Sequence, residues 1–224
     1  MEKKIGVARK VDLHKPDHAL FEPGELGVLL EIAVKKADGT VSQQWQKKAE
    51  SLVRQFLDVW LVQLLNISEM NPLQIRDTGN LLRDIAMSDW TFNANALTGD
   101  STFGLVIGTG SVAPTITDYV LGAQILHGIG VGQMQYGNVA FGLPASDPTT
   151  SSFTITRDFA NASGGLITVN EIGLYVKADE ALAVSPFSIS NQRLFMTIRD
   201  VIGGGIAVPN GQTLTINYRF QGVI

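Results

Sequence analysis

The chain has 224 residues, 45% of them hydrophobic, a formal net charge of −4 and no cysteine. That apolar content supports a packed core and excludes global disorder. The acidic balance excludes a nucleic-acid binder working through a basic stripe, which needs clustered Lys and Arg, and the lack of cysteine removes disulfide frameworks, thiolate nucleophiles and cysteine-ligated zinc.

Residues 1–25 read as an extended N-terminal arm. Met1 to Gly6 is followed by no long apolar stretch, so no signal peptide is expected. His14 and His18 stand at helical spacing, but Pro16 between them discourages a helix, which leaves solvated histidines rather than a metal site. Pro23-Gly24 marks a turn. Residues 26–98 then form a strand–helix–strand region expected to pack on a β-sandwich of residues 99–224, with 26–224 as a single domain the alternative. Gly27 to Lys36 reads as a strand, Asp38-Gly39 as a hairpin turn, and Thr40 to Trp45 as the returning strand.

Lys47 to Leu65 carries apolar residues at three- and four-residue steps, including Leu52, Phe56, Val59, Trp60 and Leu64, and is the one long amphipathic helix. Val53, Leu57, Leu61 and Leu65 widen its apolar face, so it must be covered on more than one side. Either it is sandwiched within the fold, the preferred reading, or part of it, Trp60 included, meets another chain. With Arg54, Asp58 and Gln63 in the run, Leu52 to Leu65 is too short and too polar to span a bilayer. A soluble chain made in a cytoplasm, with no membrane partner, is expected. Asp77-Thr-Gly79 matches the short aspartic-protease signature, but a second copy is lacking and dyad chemistry needs two facing carboxylates; a turn over 77–80 is expected instead. Asp89 to Ala96 reads as a short strand.

Phe103 to Gly110 is a strand running into Gly108-Thr-Gly110. A phosphate loop would continue into a helix with a further glycine or a Gly-Lys-Ser/Thr ending, and Ser111-Val-Ala-Pro114 does not. Thr117-Asp118 is placed to cap a short helix over Tyr119 to Gln124. Gln133 to Leu143 alternates weakly. Ser152 to Phe159 alternates well, with Arg157 on its apolar side. Leu166 to Val176 is β-branched and aromatic on both faces, which puts it in the middle of a packed sheet. Asn170 and Glu171 then need polar partners, and Gly173 leaves room for a neighbouring backbone or ring. Glu171 reads as a structural carboxylate paired with an arginine, Arg157 being the preferred partner. Ala178 to Ser190 is a loop and Arg193 to Asp200 a strand. Ile202-Gly-Gly-Gly-Ile206 and Pro209-Asn-Gly211 each turn the chain. Gln212 to Phe220 is a strand with Leu214, Ile216, Tyr218 and Phe220 inward. The whole reads as mainly β: an antiparallel, jelly-roll-like β-sandwich with one long amphipathic helix and one short helix.

Gly108-Thr-Gly-Ser-Val-Ala-Pro-Thr-Ile-Thr-Asp-Tyr-Val-Leu121 resembles a segment of structural proteins of tailed bacteriophages. So do Phe159-x-Asn161, Asn170-Glu-Ile-Gly-Leu-Tyr175, Arg199-Asp-Val201 and the ending Gly211 to Tyr218. The resemblance covers roughly residues 103–220 and rests on order and local motif. It implies a building block of a virion, head or tail, and brings no catalytic residues with it.

The expected function is therefore structural, as a capsid decoration, vertex, collar or tail component. Its partners are expected to be itself, as a trimer or higher ring, and other virion proteins. No enzyme activity, cofactor, metal or nucleic acid is expected. Arg157, Asn170, Glu171 and Arg199 are expected in a structural polar core. Phe21, Trp60, Val223 and Ile224 are the candidate inter-subunit contacts, since chain ends can cross onto neighbours. The alternative is a glycan-binding module using Trp45, Trp90, Tyr119 or Tyr136. A hydrolase would have to rely on His127.

Overall fold

The computed structural model describes residues 9–10, 25–49, 52–64, 72–86, 92–180 and 191–223. The chain is mainly β and every strand pair is antiparallel. In order, the elements are β1 (Arg9–Lys10), β2 (Leu26–Lys35), β3 (Val41–Lys48), α1 (Arg54–Leu64), β4 (Leu73–Arg76), β5 (Leu82–Ile85) and β6 (Gly104–Gly108), then β7 (Gln135–Phe141), β8 (Ala145–Ser146), β9 (Thr150–Ala160), β10 (Ile167–Glu180), β11 (Asn191–Val208) and β12 (Thr213–Val223). One sheet runs β1–β3–β2–β12–β9–β7 with β8 beside β9; the other runs β11–β10–β5–β4 with β6 also on β10.

Alternation explains the first sheet. Leu214, Ile216 and Tyr218 of β12 and Leu30, Ile32 and Val34 of β2 turn to one side and are fully or almost fully buried, as period-two patterning requires. They share a single apolar cluster with Leu105, Ile107, Val169, Leu174 and Ile198 of the second sheet. Most of Phe220 stays at the margin of that cluster. Thr215, on the other side of β12, is also buried and donates to Asp158 Oδ1 at 2.6 Å.

The long strand β11 is met at four carbonyls along its outer side. Its carbonyls at Leu194 and Thr197 accept the Thr78 and Val53 amides, and those at Val201 and Ala207 accept Lys47 Nζ and Gln43 Nε2 from β3. Spare carbonyls of this kind would otherwise template pairing with another chain.

The fold differs from expectation at four elements. The helix begins at Arg54, not Lys47: Lys47 and Lys48 belong to β3, where Lys47 Nζ reaches the buried Asp200 carboxylate at 3.2 Å. No helix forms over 119–124, and α1 is the only helix among the described residues. The run Ile202 to Ile206 does not turn the chain; β11 passes through it as a bulge, with Val169 opposite Ile206 and Glu171 opposite Val201. Gly204 and Gly205 sit at φ +86° and +65°, and a Cβ on Gly205 would strike Thr168 and Asn170. Finally, among the described residues α1 is not sandwiched within the fold, the preferred reading. Gln55, Val59 and Val62 face the core, but Leu57, Trp60, Leu61 and Leu64 are exposed.

Asp77-Thr-Gly79 is the turn of the β4–β5 hairpin. Asp77 is buried, takes the Leu81 amide and pairs with Arg83 at 2.7 Å. The expected strand over 89–96 lies partly outside the described residues; from Phe92 to Ala96 the backbone is irregular, with one bridge from Asn93 to Lys177. Strand β10 extends to Glu180, into the expected loop, and 181–190 are outside the described residues.

Candidate functional site: a buried carboxylate that holds a loop

On β10, residues 171, 173 and 175 share one face, because side chains alternate along a strand. That face is Glu171, Gly173 and Tyr175, and the loop 109–125 lies on it. Glu171 is fully buried. Its Oε1 accepts the amides of Gly110 at 3.0 Å and Ala123 at 2.7 Å. Its Oε2 accepts the amide of Gly122 at 3.0 Å, together with Arg199 Nε at 3.1 Å and Nη2 at 2.9 Å. Tyr175 Oη accepts the Leu121 amide at 2.6 Å. Gly173, between them, leaves space for Leu121: a Cβ there would stand 3.1 Å from Leu121 Cδ2 and 3.2 Å from the Tyr175 ring.

These contacts explain the missing helix. The amides of Leu121, Gly122 and Ala123 all point at β10 side chains, so none is free to close a helical turn with a carbonyl four residues back. Asp118, expected as its cap, accepts the Thr115 amide at 2.8 Å and the Thr115 hydroxyl at 2.7 Å instead. Its Oδ2 also pairs with Arg199 Nη1 at 2.6 Å.

The same contacts account for Gly108-Thr-Gly110. The pair does cradle an anion, but an internal one, the Glu171 carboxylate. A Cβ at Gly108 would lie 2.6 Å from both the Ala123 carbonyl and Glu171 Oε1. Backbone amides turned toward an anion are common to both situations.

Arg199 completes the centre. It is buried, lies diagonally across from Glu171 (opposite Gly173), and binds both Glu171 and Asp118, with Nη2 also donating to the Val112 carbonyl at 3.1 Å. Burial opposes the charge on Arg199, but hydrogen bonds from it to Asp118 and Glu171 outweigh this and raise its pKa. For Asp118, burial is likewise outweighed, and the Thr115 and Arg199 hydrogen bonds hold its carboxyl below the usual range. Burial pushes the Tyr175 phenol well up.

Arg157 is not the partner of Glu171. Strand β9 belongs to the other sheet, and the fully buried guanidinium makes no carboxylate contact there. Nε donates to the Gly137 carbonyl at 2.8 Å, Nη1 to Phe103 and Leu105 at 3.0 and 2.9 Å, and Nη2 to Leu97 and Asp100 at 3.1 and 2.6 Å. A guanidinium has five N–H donors, and all five end on carbonyls. The Tyr136 ring lies 4.8 Å from the guanidinium carbon, a cation–π contact. Burial pushes this group down to about 10, so it stays charged at neutral pH.

Asn170 lies on the opposite side of β10 from Glu171 and donates to the Thr109 carbonyl at 2.8 Å, a second tie on the loop. A further buried centre was not foreseen in the sequence: Asp200 accepts the Tyr218 hydroxyl at 2.8 Å and pairs with Lys47. The adjacent residues Arg199 and Asp200 therefore serve opposite faces of β11. The signal was the charged pair inside an apolar strand.

Of the other candidates, Phe21, Trp90 and Ile224 lie outside the described residues. Val223 is buried against Leu29 of its own chain. Trp60 is exposed and Trp45 packs on the core. Tyr136 is buried and cannot offer a sugar platform, and Tyr119 lies under the Arg76 guanidinium. His127 Nδ1 accepts the Tyr136 amide at 3.0 Å and is thereby occupied.

Chemically, this centre holds rather than reacts. A carboxylate has about four lone-pair sites, and Glu171 already receives five hydrogen bonds. No oxygen is left to take a substrate proton, which a general base must have within reach. The product of the arrangement is a fixed surface loop that presents Val112 and Ile116, both more than half exposed. Comparison with protein-family models, with curated proteins and with solved structures finds no match to the chain.

Proposed function

We propose that this chain is a structural protein of a tailed-bacteriophage virion, built as a jelly-roll-like β-sandwich and acting through symmetric assembly with copies of itself and with other virion proteins. On this reading it is made in the host cytoplasm and works in the particle, as a capsid decoration, vertex, collar or tail component. The observation that carries the proposal is the use to which the buried charge is put. Glu171, Arg199 and Asp118 are spent on fixing loop 109–125, and that loop shows apolar side chains to the outside. A contiguous apolar patch held in place on a surface suits protein contact. The segments that resemble phage structural proteins, Gly108 to Leu121, Asn170 to Tyr175 and Arg199 to Val201, all contribute to this centre.

The test is to purify the phage particles produced alongside this chain and image them. Density fitting two antiparallel sheets at symmetry-related positions, with peptides of the chain at matching stoichiometry, is expected. Particles that lack the chain would sink the proposal.

A further inference from the structure

We infer that the outer face of α1 is a contact between copies of this chain, with α1 packing against α1 of a second copy. The inference rests on the proposed reading only in taking self-assembly as the way the chain works.

The helix has two apolar faces. Its inner one, Val59 and Val62 with Gln55, packs toward β11 and β4. Its outer one carries Leu57, Trp60, Leu61 and Leu64, exposed by 57%, 41%, 41% and 67%. These are positions i, i+3, i+4 and i+7, one continuous ridge along the helix. A solvated helix face carries polar side chains there; this one has four large apolar ones in a row. The ridge is held in place. Phe56 packs edge-on against Phe92 at 5.6 Å and lies 5.8 Å from Trp60.

The ridge continues past the helix. The Arg54 amide donates to the Ile116 carbonyl at 3.0 Å, which seats Ile116 at the first turn of α1. With Ile116 the ridge presents on the order of 500 Å² per copy, against about 800 Å² per partner in a standard interface. A ridge of this size approaches what a stable pairing needs.

Charge leaves this face open to a second copy. The chain is −4 overall, so acidic surfaces of two copies repel. The ridge holds no ionisable group. The charges beside it, Arg54 and Asp58, neutralise each other at 3.1 Å. A neutral ridge of i, i+3, i+4, i+7 spacing is complementary to itself: it can meet an identical ridge across a rotation axis, ridges fitting grooves.

The experiment uses the full chain. Sedimentation of the unaltered protein at micromolar concentration is expected to give at least twice the 24.1 kDa of one chain. Leu61→Glu and Leu57→Glu place a charge on an exposed ridge, so each should melt like the parent while its mass falls to that of one chain. The absence of cysteine allows a second, geometric measurement. Under mild oxidation Leu61→Cys should form a covalent dimer at least tenfold faster than Lys36→Cys, which sits on the exposed β2–β3 turn. A parent that sediments as one chain overturns the inference. Self-association that Leu61→Glu leaves intact, with no preference in crosslinking, overturns the α1 assignment while leaving assembly standing.

Discussion

Glu171 and Arg199 are joined across β10 and β11 by two guanidinium hydrogen bonds, and neither side chain reaches solvent to any extent. The pair is not isolated, since three loop amides share the carboxylate and Asp118 shares the guanidinium. Breaking a buried pair leaves an uncompensated charge, whereas removing both members together does not. Glu171→Ala is therefore expected to cost about 3–5 kcal/mol in denaturant unfolding. Glu171→Ala with Arg199→Met should cost less than the sum of the two single changes, by about 1–3 kcal/mol. Strict additivity would mean that the two groups act independently.

Arg157 offers a different test, because its charge is met by carbonyl dipoles and the Tyr136 ring rather than by a carboxylate. Arg157→Met keeps the volume and the apolar stem but removes a donor from five carbonyls, at Leu97, Asp100, Phe103, Leu105 and Gly137, of which Leu97 keeps the Asp100 amide. Each unsatisfied buried group costs about 1–3 kcal/mol, discounted where water can enter. A loss of about 4 kcal/mol or more is expected, and Arg157→Lys should recover less than half of it, since an ammonium has three donors and no planar fork. A lysine variant as stable as the parent would show that charge, not donor geometry, holds this site.

The contrast between these two arginines shows where the sequence is legible. Both lie in strands rich in apolar residues, so a structural polar core could be read from either. Which arginine meets Glu171 depends on which sheet each strand joins, and β9 and β11 fall in different sheets. Strand β12 was plain because its alternation is local. The 119–124 segment was not, because its amides are claimed by side chains about fifty residues further along. The glycines of 203–205 carry a turn signal in any sequence, yet here they bulge within a strand opposite Asn170. Helix α1 was legible in kind; its start was hidden because Lys47 serves a buried carboxylate from a strand.

Alkaline pH should unfold the protein through its buried phenols. Burial raises Tyr136 to about 12, raises Tyr175 further, and raises Tyr218 well above the ordinary phenol range. In the unfolded chain a phenol ionises near 10. The folded state therefore holds protons that the unfolded state has lost, and the stabilisation is complete below about pH 10 and disappears as pH climbs toward the folded values. Arg157, pushed down to about 10, acts in the opposite sense and offsets one of the three. A net fall of up to roughly 3 kcal/mol per pH unit above about pH 10 is expected. Denaturant melts between about pH 9 and 11 would check it; unchanged stability across that range would contradict the burial of these rings.

The last prediction separates crowding from backbone strain at two glycines. Gly110 has an ordinary backbone, but a Cβ there would collide with the Glu171 carboxylate. Gly164 has φ +84° and nothing within 4 Å of where a Cβ would be. Gly164→Ala should therefore cost only the left-handed penalty, about 1–2 kcal/mol, and leave loop 109–125 untouched. Gly110→Ala must push Glu171 away from three amides and Arg199, and should cost about 2–4 kcal/mol. The two also differ in where the damage appears. Amide exchange at Gly122 and Ala123 should accelerate in Gly110→Ala more than global stability accounts for, because their acceptor has moved. If those amides stay as protected as in Gly164→Ala, the carboxylate is not what holds the loop.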